Sequence, residues 1–491
     1  MPVNSTHPDF DTAFPAWSRA RVVIAGEDAI KRAGIRYLRR LEEQTDDEYE
    51  AYKSRAAFFN ATARTADGFV GMIFRRAPFT RLPDESASVG KALARFAHDV
   101  DMLGTTLFGY AKNVVTEVIS VGRSGTLVDW EGEVEDRAYL SSYAAENILN
   151  WRVERVNGRN VVTLVVLREE VERQRIEPGM LKSESDEFED DSVEQIRVLK
   201  LVKSPKTKAQ GKRLAYECVV EIWRRGESGN RRTGRGNWKL IETRSPLRRG
   251  KPLPSLPFVF HGPRHSRPAV DKLPLGDIIA VNLDHFRLDA DYKHGIHFTA
   301  LPTAWVSGFD KNATLRIGSS TAWVTETPGA TAGFLEFTGQ GLTTFERAMD
   351  RDERLMAVLG SRLLAEQKKV GETADAIELR QSGENSILST ISLSVGESLT
   401  QVLRWACWWN STEETPELIG DDQVVLTLNT DFSTKGMTSD ELQAVVAAWQ
   451  AGAVSRETMQ EIFRKGEILP DGLSVQDTGA FVTAGRKNGK G

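Results

Sequence analysis

At 491 residues, 40% of them hydrophobic and 27% charged, with a formal net charge of −5, the chain is long enough for two or more domains around a sizeable core. Its mild acidity argues against a protein that grips nucleic acid over a broad basic surface. The only cysteines, Cys218 and Cys407, lie far apart without a CxxC partner, so burial or a reducing compartment is expected rather than a disulfide framework. No apolar run is long enough to span a bilayer, and residues 1–14 lack a signal peptide's charged start and apolar core. The expectation is a chain made and assembled in the cytoplasm, with no membrane partner.

Residues 1–14 read as a loose polar arm. A short amphipathic helix follows from Trp17 to about Ile30, with a few more apolar positions between Gly34 and Leu41. The run Thr45-Asp46-Asp47-Glu48 supplies a cap and first-turn acids to a stronger helix. That helix carries Tyr49, Tyr52, Ala56, Phe59, Ala63, Ala66, Phe69 and Val70, and Pro78 stops it. Another helix is expected from about Ser88 to Leu107, with Val89, Leu93, Phe96, Val100 and Leu103 on one side.

From Tyr110 to about Phe260, apolar and polar residues alternate in short runs between turn signals, which predicts a largely sequential antiparallel sheet. Strands are expected at Ala111 to Val121, Gly125 to Trp130, Asn160 to Val171, Gln195 to Val202, Arg213 to Arg224 and Asn237 to Thr243. Asn157-Gly158 suits a tight turn in this region. The acidic segment 183–194, the basic segment 203–213 and the arginine- and glycine-rich segment 224–235 read as solvated loop tips.

Leu253 to Pro268 is a proline-rich connector that cannot be helical, and it delivers the chain to three long helices between Asp271 and Asn410. In the first, Pro274 suits an early turn, and Leu275, Ile278, Ile279, Phe286, Tyr292 and Ile296 give the apolar side. Asn282, His285 and Asp289 share or border that face, a mixture that suits packing against a neighbour in an assembly. The insert from Pro302 to Gly341 carries strand-like runs at 304–306, 322–325 and 334–337. The middle helix shows the clearest periodicity: from Leu342 it places Phe345, Met349, Met356, Leu359 and Leu363 on one stripe, interrupted by Asp352. Thr343 with Glu346 forms a capping box, and about 24 residues would make a strut of about 36 Å. After a break at 366–372, the third helix carries Leu388, Ile391, Val395, Leu399, Val402, Ala406 and Trp409. Serines are interleaved, and Gly383 and Gly396 are candidate kink points. These small residues would admit a second helix at close range. Gln423 to Leu428 reads as a strand, Ser439 to Ala451 and Ser455 to Lys465 as short helices, and the tail from Leu469 as disordered.

Catalytic motifs are absent: there is no Walker loop, HExxH, GxSxG or CxxC pair. His261 with His265 and His294 with His297 have spacings a metal could use, but the first pair sits in Gly/Pro-rich chain and the second lacks a third ligand. Asp350, Asp352 and Glu353 fit a solvated face or an inter-subunit pair better than a nuclease site. Trp405, Trp408 and Trp409 fit core or interface anchors better than base-stacking platforms. No cofactor, metal or catalytic residue is assigned.

The order of elements resembles the portal protein of tailed bacteriophages, and more narrowly a family of portal-like phage and prophage proteins without an assigned function. The resemblance is carried by residues 52–60 (YKSRAAFFN) with 71–78 (GMIFRRAP), by 145–151 (AENILNW), by Leu301-Pro302-Thr303 and by Gly383-Glu384-Asn385-Ser386, and it covers about residues 15–470. It implies an α+β, portal-type fold. Residues 1–270 would form an α/β wing, with helices at about 15–107 and antiparallel strands at about 110–260. A two-helix stem would occupy 271–300 and 342–365, with a small β-containing clip at 301–341 between them. A tunnel loop at 366–382 would precede a long kinked helix and a strand at 383–436, and a short helical crown and flexible tail would complete the chain at 437–491.

The resemblance further implies a homo-oligomeric ring, usually of twelve subunits, at one capsid vertex of the virion. Double-stranded DNA would be packaged and ejected through it. Partners would be the large subunit of the terminase motor, a head–tail adaptor, and capsid or scaffolding proteins. Gln367, Lys368, Lys369 and Glu372 would lie at the tunnel loop. Phe309, Lys311, Asn312 and Arg316 would form the clip docking surface. Phe345, Met349, Met356, Leu359, Asn282 and His285 would pack stems of neighbouring subunits. A translocation channel must not hold DNA tightly, because each persistent phosphate contact adds affinity, and a modestly acidic chain fits that need. Lys368 and Lys369 could contact phosphate transiently or face solvent or a neighbouring carboxylate. Two other readings compete: a different head–tail connector or minor capsid protein, and a cytoplasmic enzyme with an unrecognised site.

Overall fold

The computed structural model describes residues 2–132, 134–172, 192–204, 215–225, 237–300, 303–309, 323, 326–335, 341–364, 387–430, 432 and 439–450. The N-terminal elements are helices α1 (Pro8–Ala25), α2 (Glu27–Ala33), α3 (Asp46–Arg55) and α4 (Ala61–Ile73), strand β1 (Phe79–Arg81), and helices α5 (Ser88–His98) and α6 (Leu107–Val121). Then come strands β2 (Ser124–Glu131), β3 (Arg137–Ala144), β4 (Ile148–Val156), β5 (Arg159–Glu172), β6 (Ser192–Lys203), β7 (Tyr216–Arg225) and β8 (Trp238–Arg244). Short β9 (Leu247–Arg248) and β10 (Lys251–Pro252) lead to β11 (Phe258–His261). The remainder is helix α7 (Gly276–Ala300), strands β12 (Thr303–Ser307) and β13 (Thr331–Leu335), helices α8 (Leu342–Leu364) and α9 (Ile387–Asn410), strand β14 (Val425–Thr427) and helix α10 (Ser439–Gln450). The fold is α+β. It divides into two compact units, one of Met1–Phe14, Asp67–Lys272 and Leu364–Gly491, the other of Pro15–Ala66 and Leu273–Leu363.

In the first unit, β4 to β8 form a sequential antiparallel sheet, of which the alternating sequence predicts β5 to β8. Asn157 (φ 50°) and Gly158 (φ 86°) make the β4–β5 turn, both in the left-handed region that a tight hairpin of this kind requires. A second, three-stranded sheet has the order β11-β2-β3, and β1 pairs antiparallel with β14. The two larger sheets are linked by a charged network. The Glu169 carboxylate on β5 accepts hydrogen bonds from Arg197 Nε (2.7 Å), Gln195 Nε2 (2.6 Å) and the Tyr143 hydroxyl, and Arg197 also reaches Asp129 on β2 at 3.4 Å. Desolvation, and then the Glu169 carboxylate, raise the Tyr143 hydroxyl well above the ordinary tyrosine value.

Helix α9 runs through the centre of this unit, packed against α5, α6, β2, β3, β11 and β14. Seventeen of its residues are buried, among them Leu388, Val395, Leu399, Leu403, Ser392 and Ser398. A helix apolar on nearly every side belongs in a core. Its small residues admit a strand at close range where the sequence suggested a second helix. A side chain at Gly396 would stand 3.2 Å from the Leu426 carbonyl on β14, and Thr400 Oγ1 accepts the Leu426 amide at 3.0 Å. The helix continues unbroken through Gly396. His261 sits wholly buried between Ser398 Oγ (2.7 Å) and Thr126 Oγ1 (2.6 Å), and Thr126 meets the Tyr110 hydroxyl at 2.8 Å. Desolvation pushes its imidazole down to about 3, so it is neutral at ordinary pH. Trp130 stacks on Trp409, and Arg248 lies 4.0 Å over Trp408 while donating to the Glu413 carbonyl, so the tryptophans are core anchors.

Several sequence expectations are overturned. The supposed loose arm is helical from Pro8, with Asp9 and Asp11 in its first turn, and His7 stacks on Trp151 at 4.2 Å. Arg123, beneath the same indole at 4.2 Å, donates to the Pro268 carbonyl at 2.6 Å. The helix expected from Thr45 to Pro78 is two helices. Thr45 and Glu48 do form the capping box of α3, but the chain turns extended at Ala56, and Asn60 Oδ1 accepts the Ala63 amide to start α4. The helix expected to reach Leu107 ends at His98. A loop follows in which Met102 and Gly104 have positive φ and Leu103 is 85% exposed. Ala111 to Val121 is helical where a strand was expected: Thr106 caps α6 by accepting the Gly109 amide, and Gly122 ends it in the left-handed region. Strands β3 and β4, and β11 inside the proline-rich connector, had no counterpart in the sequence reading.

Candidate functional site: the helical hairpin of residues 276–364

The second unit contains the element most distinctive in the sequence. Helices α7 and α8, of 25 and 23 residues, run antiparallel and are joined through the hairpin β12–β13. At about 1.5 Å per residue α7 is about 37 Å long. Their relative height is fixed by side-chain contacts. The Tyr292 hydroxyl donates to Glu346 at 2.6 Å, His285 Nε2 lies 3.4 Å from Glu353, and a side chain at Gly295 would strike Leu342 at 2.7 Å. The helix begins at Leu342, so Thr343 lies inside it, and the Glu346 carboxylate of the expected capping box takes Tyr292.

The polar residues on the inner face of α7 have partners in the same unit. Asn282, fully buried, accepts the Thr62 amide (3.2 Å) and hydroxyl (2.8 Å) and donates to the Phe59 carbonyl at 2.7 Å, so it caps α4 from outside. Asp289 accepts the Ala57 amide at 2.6 Å, and Asp291 accepts the Tyr52 hydroxyl at 2.5 Å. Burial, and then Asp291, raise the Tyr52 hydroxyl far above its ordinary value. His294 is held below the ordinary histidine value by burial and by Arg55. The mixed face that the sequence assigned to a neighbouring subunit is therefore occupied within the chain, by the segment around residues 52–62 that sequence spacing could not connect to it.

On α8 the expected stripe faces inward. Met356 is 3% exposed, Phe345, Met349 and Leu359 are half-buried, and Asp352 is buried among them. One Asp352 oxygen meets Arg351 at 3.3 Å, while Oδ2 is buried with no hydrogen-bond partner among the described residues. At the tip, Trp305 lies over Gly333, where a side chain would come within 3.0 Å of the indole nitrogen. Trp305 and Phe334 are 46% and 54% exposed on opposite faces of the hairpin. Neither was singled out from the sequence, although the alternation in TAWVS was the available signal. Phe309 is half-buried just beyond β12. Lys311, Asn312 and Arg316, and the loop residues Gln367, Lys368, Lys369 and Glu372, lie outside the described residues, as do the second short helix and the tail.

Among the described residues no cluster of His, Cys, Asp and Glu could hold a metal. His265 lies 3.7 Å from Asp271, whereas the His261 ring nitrogens are taken by Ser398 and Thr126. Among the described residues no helix is long and apolar enough to cross a membrane.

A family model described as "Domain of unknown function (DUF4055)" matches residues 274–410, which takes in the hairpin and α9 and less than half of the chain. No curated protein matches the sequence. Among solved structures, the chain is similar to one in "Virion of native gene transfer agent (GTA) particle", with TM-score 0.34 and 10% identity over 87% of this chain and 95% of that one. It is also similar to one in "Neck of empty GTA particle computed with C6 symmetry", with TM-score 0.35 and 13% identity over the same shares. A likeness this distant carries no functional argument.

Proposed function

We propose that the chain is a structural subunit of a tailed-phage-like particle and, within that class, a portal subunit. Copies would form a ring at one capsid vertex, double-stranded DNA would pass through its centre, and the terminase motor and later a head–tail adaptor would dock on it. The observation that supports this most is the hairpin: two antiparallel helices of about 37 and 35 Å with a two-stranded tip, followed in sequence by a long helix sunk in a separate unit. A monomeric enzyme has no evident use for so long a strut, whereas a ring uses it as a wall. In this reading α7 and α8 are the stem, β12–β13 with Phe309, Lys311, Asn312 and Arg316 the clip, and the segment with Gln367, Lys368, Lys369 and Glu372 the tunnel loop. The subunit does no chemistry of its own.

Negative-stain microscopy of the purified chain tests the proposal. Rings with a central hole and roughly twelvefold symmetry are expected, and a protein that stays monomeric or dimeric at micromolar concentration overturns it. Shortening residues 366–372 should leave the rings intact but impair DNA packaging. Normal packaging by that variant would remove the tunnel-loop assignment while leaving the ring.

A further inference from the structure

Each helix of the hairpin buries one face within the chain and leaves the opposite face open, and the two open faces carry opposite charge. On α7 the open face presents Asp277, Ala280 and Asp284, all exposed, and Asp284 has no ion pair or hydrogen bond among the described residues. Arg287 shares this face and donates to the Tyr37 carbonyl at 3.0 Å. On α8 the open face presents Arg347, Arg351 and Arg354 at helical spacing, with Leu355 (41% exposed) and Val358 (43% exposed) beside them. Arg347 and Arg354 have no ion pair or hydrogen bond among the described residues, and Asp350 borders the stripe. Of the nearby acids of α8, Glu346 is engaged with Tyr292 and Glu353 with His285, and the buried Asp352 pairs with Arg351 alone, which leaves Arg347 and Arg354 without a neutralising partner among the described residues.

The heights of these groups also agree. From the Tyr292–Glu346 contact to the His285–Glu353 contact, both helices advance seven residues, 292 to 285 and 346 to 353. One residue further, Asp284 stands level with Arg354, and four beyond that Ala280 stands level with Val358. Rotation about an axis parallel to the hairpin leaves heights unchanged, so the same residues stay level between one copy and the next.

We propose that the acidic open face of α7 in one copy docks on the arginine-lined open face of α8 in a second copy of this chain, with Asp284 meeting Arg354 and Val358 laid against Ala280. This inference rests on the ring reading above and names its contact. The two faces differ and point away from each other, so the contact is head-to-tail and propagates around a ring; a two-fold dimer cannot use it. It places the subunit interface on residues other than the inward stripe of Phe345, Met349 and Met356.

Cysteine pairing in the full-length chain tests this. The native Cys218 and Cys407 are buried, so added cysteines on the surface react alone. Chains carrying both Asp284→Cys and Arg354→Cys, oxidised, should run as a ladder of linked copies on a non-reducing gel, and each single variant should not. Asp284→Arg or Arg354→Asp alone should abolish rings at concentrations where the parent is fully assembled, and the two together should restore them. Parent rings without a ladder, or a ladder from a single variant, overturn this contact and leave the ring reading standing. A parent that mass photometry finds monomeric overturns both.

Discussion

Helices α8 and α9 differ by one residue in length and lie in neighbouring stretches of the sequence, yet they are held in opposite ways. Seventeen residues of α9 are buried, serines among them, and its neighbours are sheets and helices on several sides. On α8 one stripe is buried, and the opposite side is lined with arginines and half-exposed leucine and valine. The first is positioned by its own unit, and a change in it is felt as stability. The second is only half-covered by the chain, and a change on its open side should be felt in assembly. Burial, rather than helix length or hydrophobic content, separates a scaffold from a contact surface.

Paired substitutions sharpen this contrast. Leu399→Ala in α9, at a site 1% exposed, should destabilise the protein by about 2–5 kcal/mol in chemical denaturation. A cost below about 1 kcal/mol would mean that α9 is not the core helix. Acid should act through the same helix, because His261 between Thr126 and Ser398 is depressed to about 3 from an unfolded value of 6.5. The folded state therefore binds fewer protons than the unfolded one in that window. The resulting stability is fully present above pH 6.5 and falls by about 1.4 kcal/mol per pH unit on going down towards pH 3. A His261→Gln variant should lack this share of the slope, and identical slopes for the two proteins would refute the buried neutral imidazole.

In the hairpin, Asn282→Ala removes the outside cap of α4 and strands the Phe59 carbonyl, with an expected cost of about 2 kcal/mol. Asp352→Leu goes the other way: it replaces a buried carboxylate with an unpaired oxygen and should stabilise by about 1 kcal/mol, read as a rise in melting temperature. Smallest of all, Leu355→Ala on the open side should change the stability of the isolated subunit by no more than about 0.5 kcal/mol. If it destabilises the isolated subunit as much as Leu399→Ala does, the contrast between the two helices fails.

Periodicity made the hairpin legible. The stripe of α8, the strand pair between the helices and the sequential sheet from β5 to β8 follow from side-chain spacing, which is local. Failures occurred where local signals conflict or partners are distant. Ala111 to Val121 is rich in β-branched residues, so propensity spoke for a strand. The decisive signals were the cap at Thr106 and the glycine at 122, which bracket a length better suited to a helix. Asn282 was visible as a polar residue on an apolar face, but its partners Phe59 and Thr62 lie some 220 positions earlier, and nothing in a single sequence couples them. The stripe was expected to pack against a neighbouring subunit, and it faces inward within the chain. What covers it could not be read, because an amphipathic helix looks the same whether its neighbour is the same chain or the next copy.

The pairing of Phe79–Arg81 with Val425–Thr427 also constrains how the protein can be made. The ribosome must add about 340 residues after β1 before its partner strand emerges, which at about 5–20 residues per second takes roughly 20–70 s. The hairpin unit is complete once Leu363 has emerged, whereas the other unit lacks both its central helix and its closing strand until residues 387–427 have been added. Nascent chains therefore carry a finished strut while the core of the other unit is still open. Premature termination between residues 364 and 387 leaves a product that has the strut but cannot close the unit built around α9.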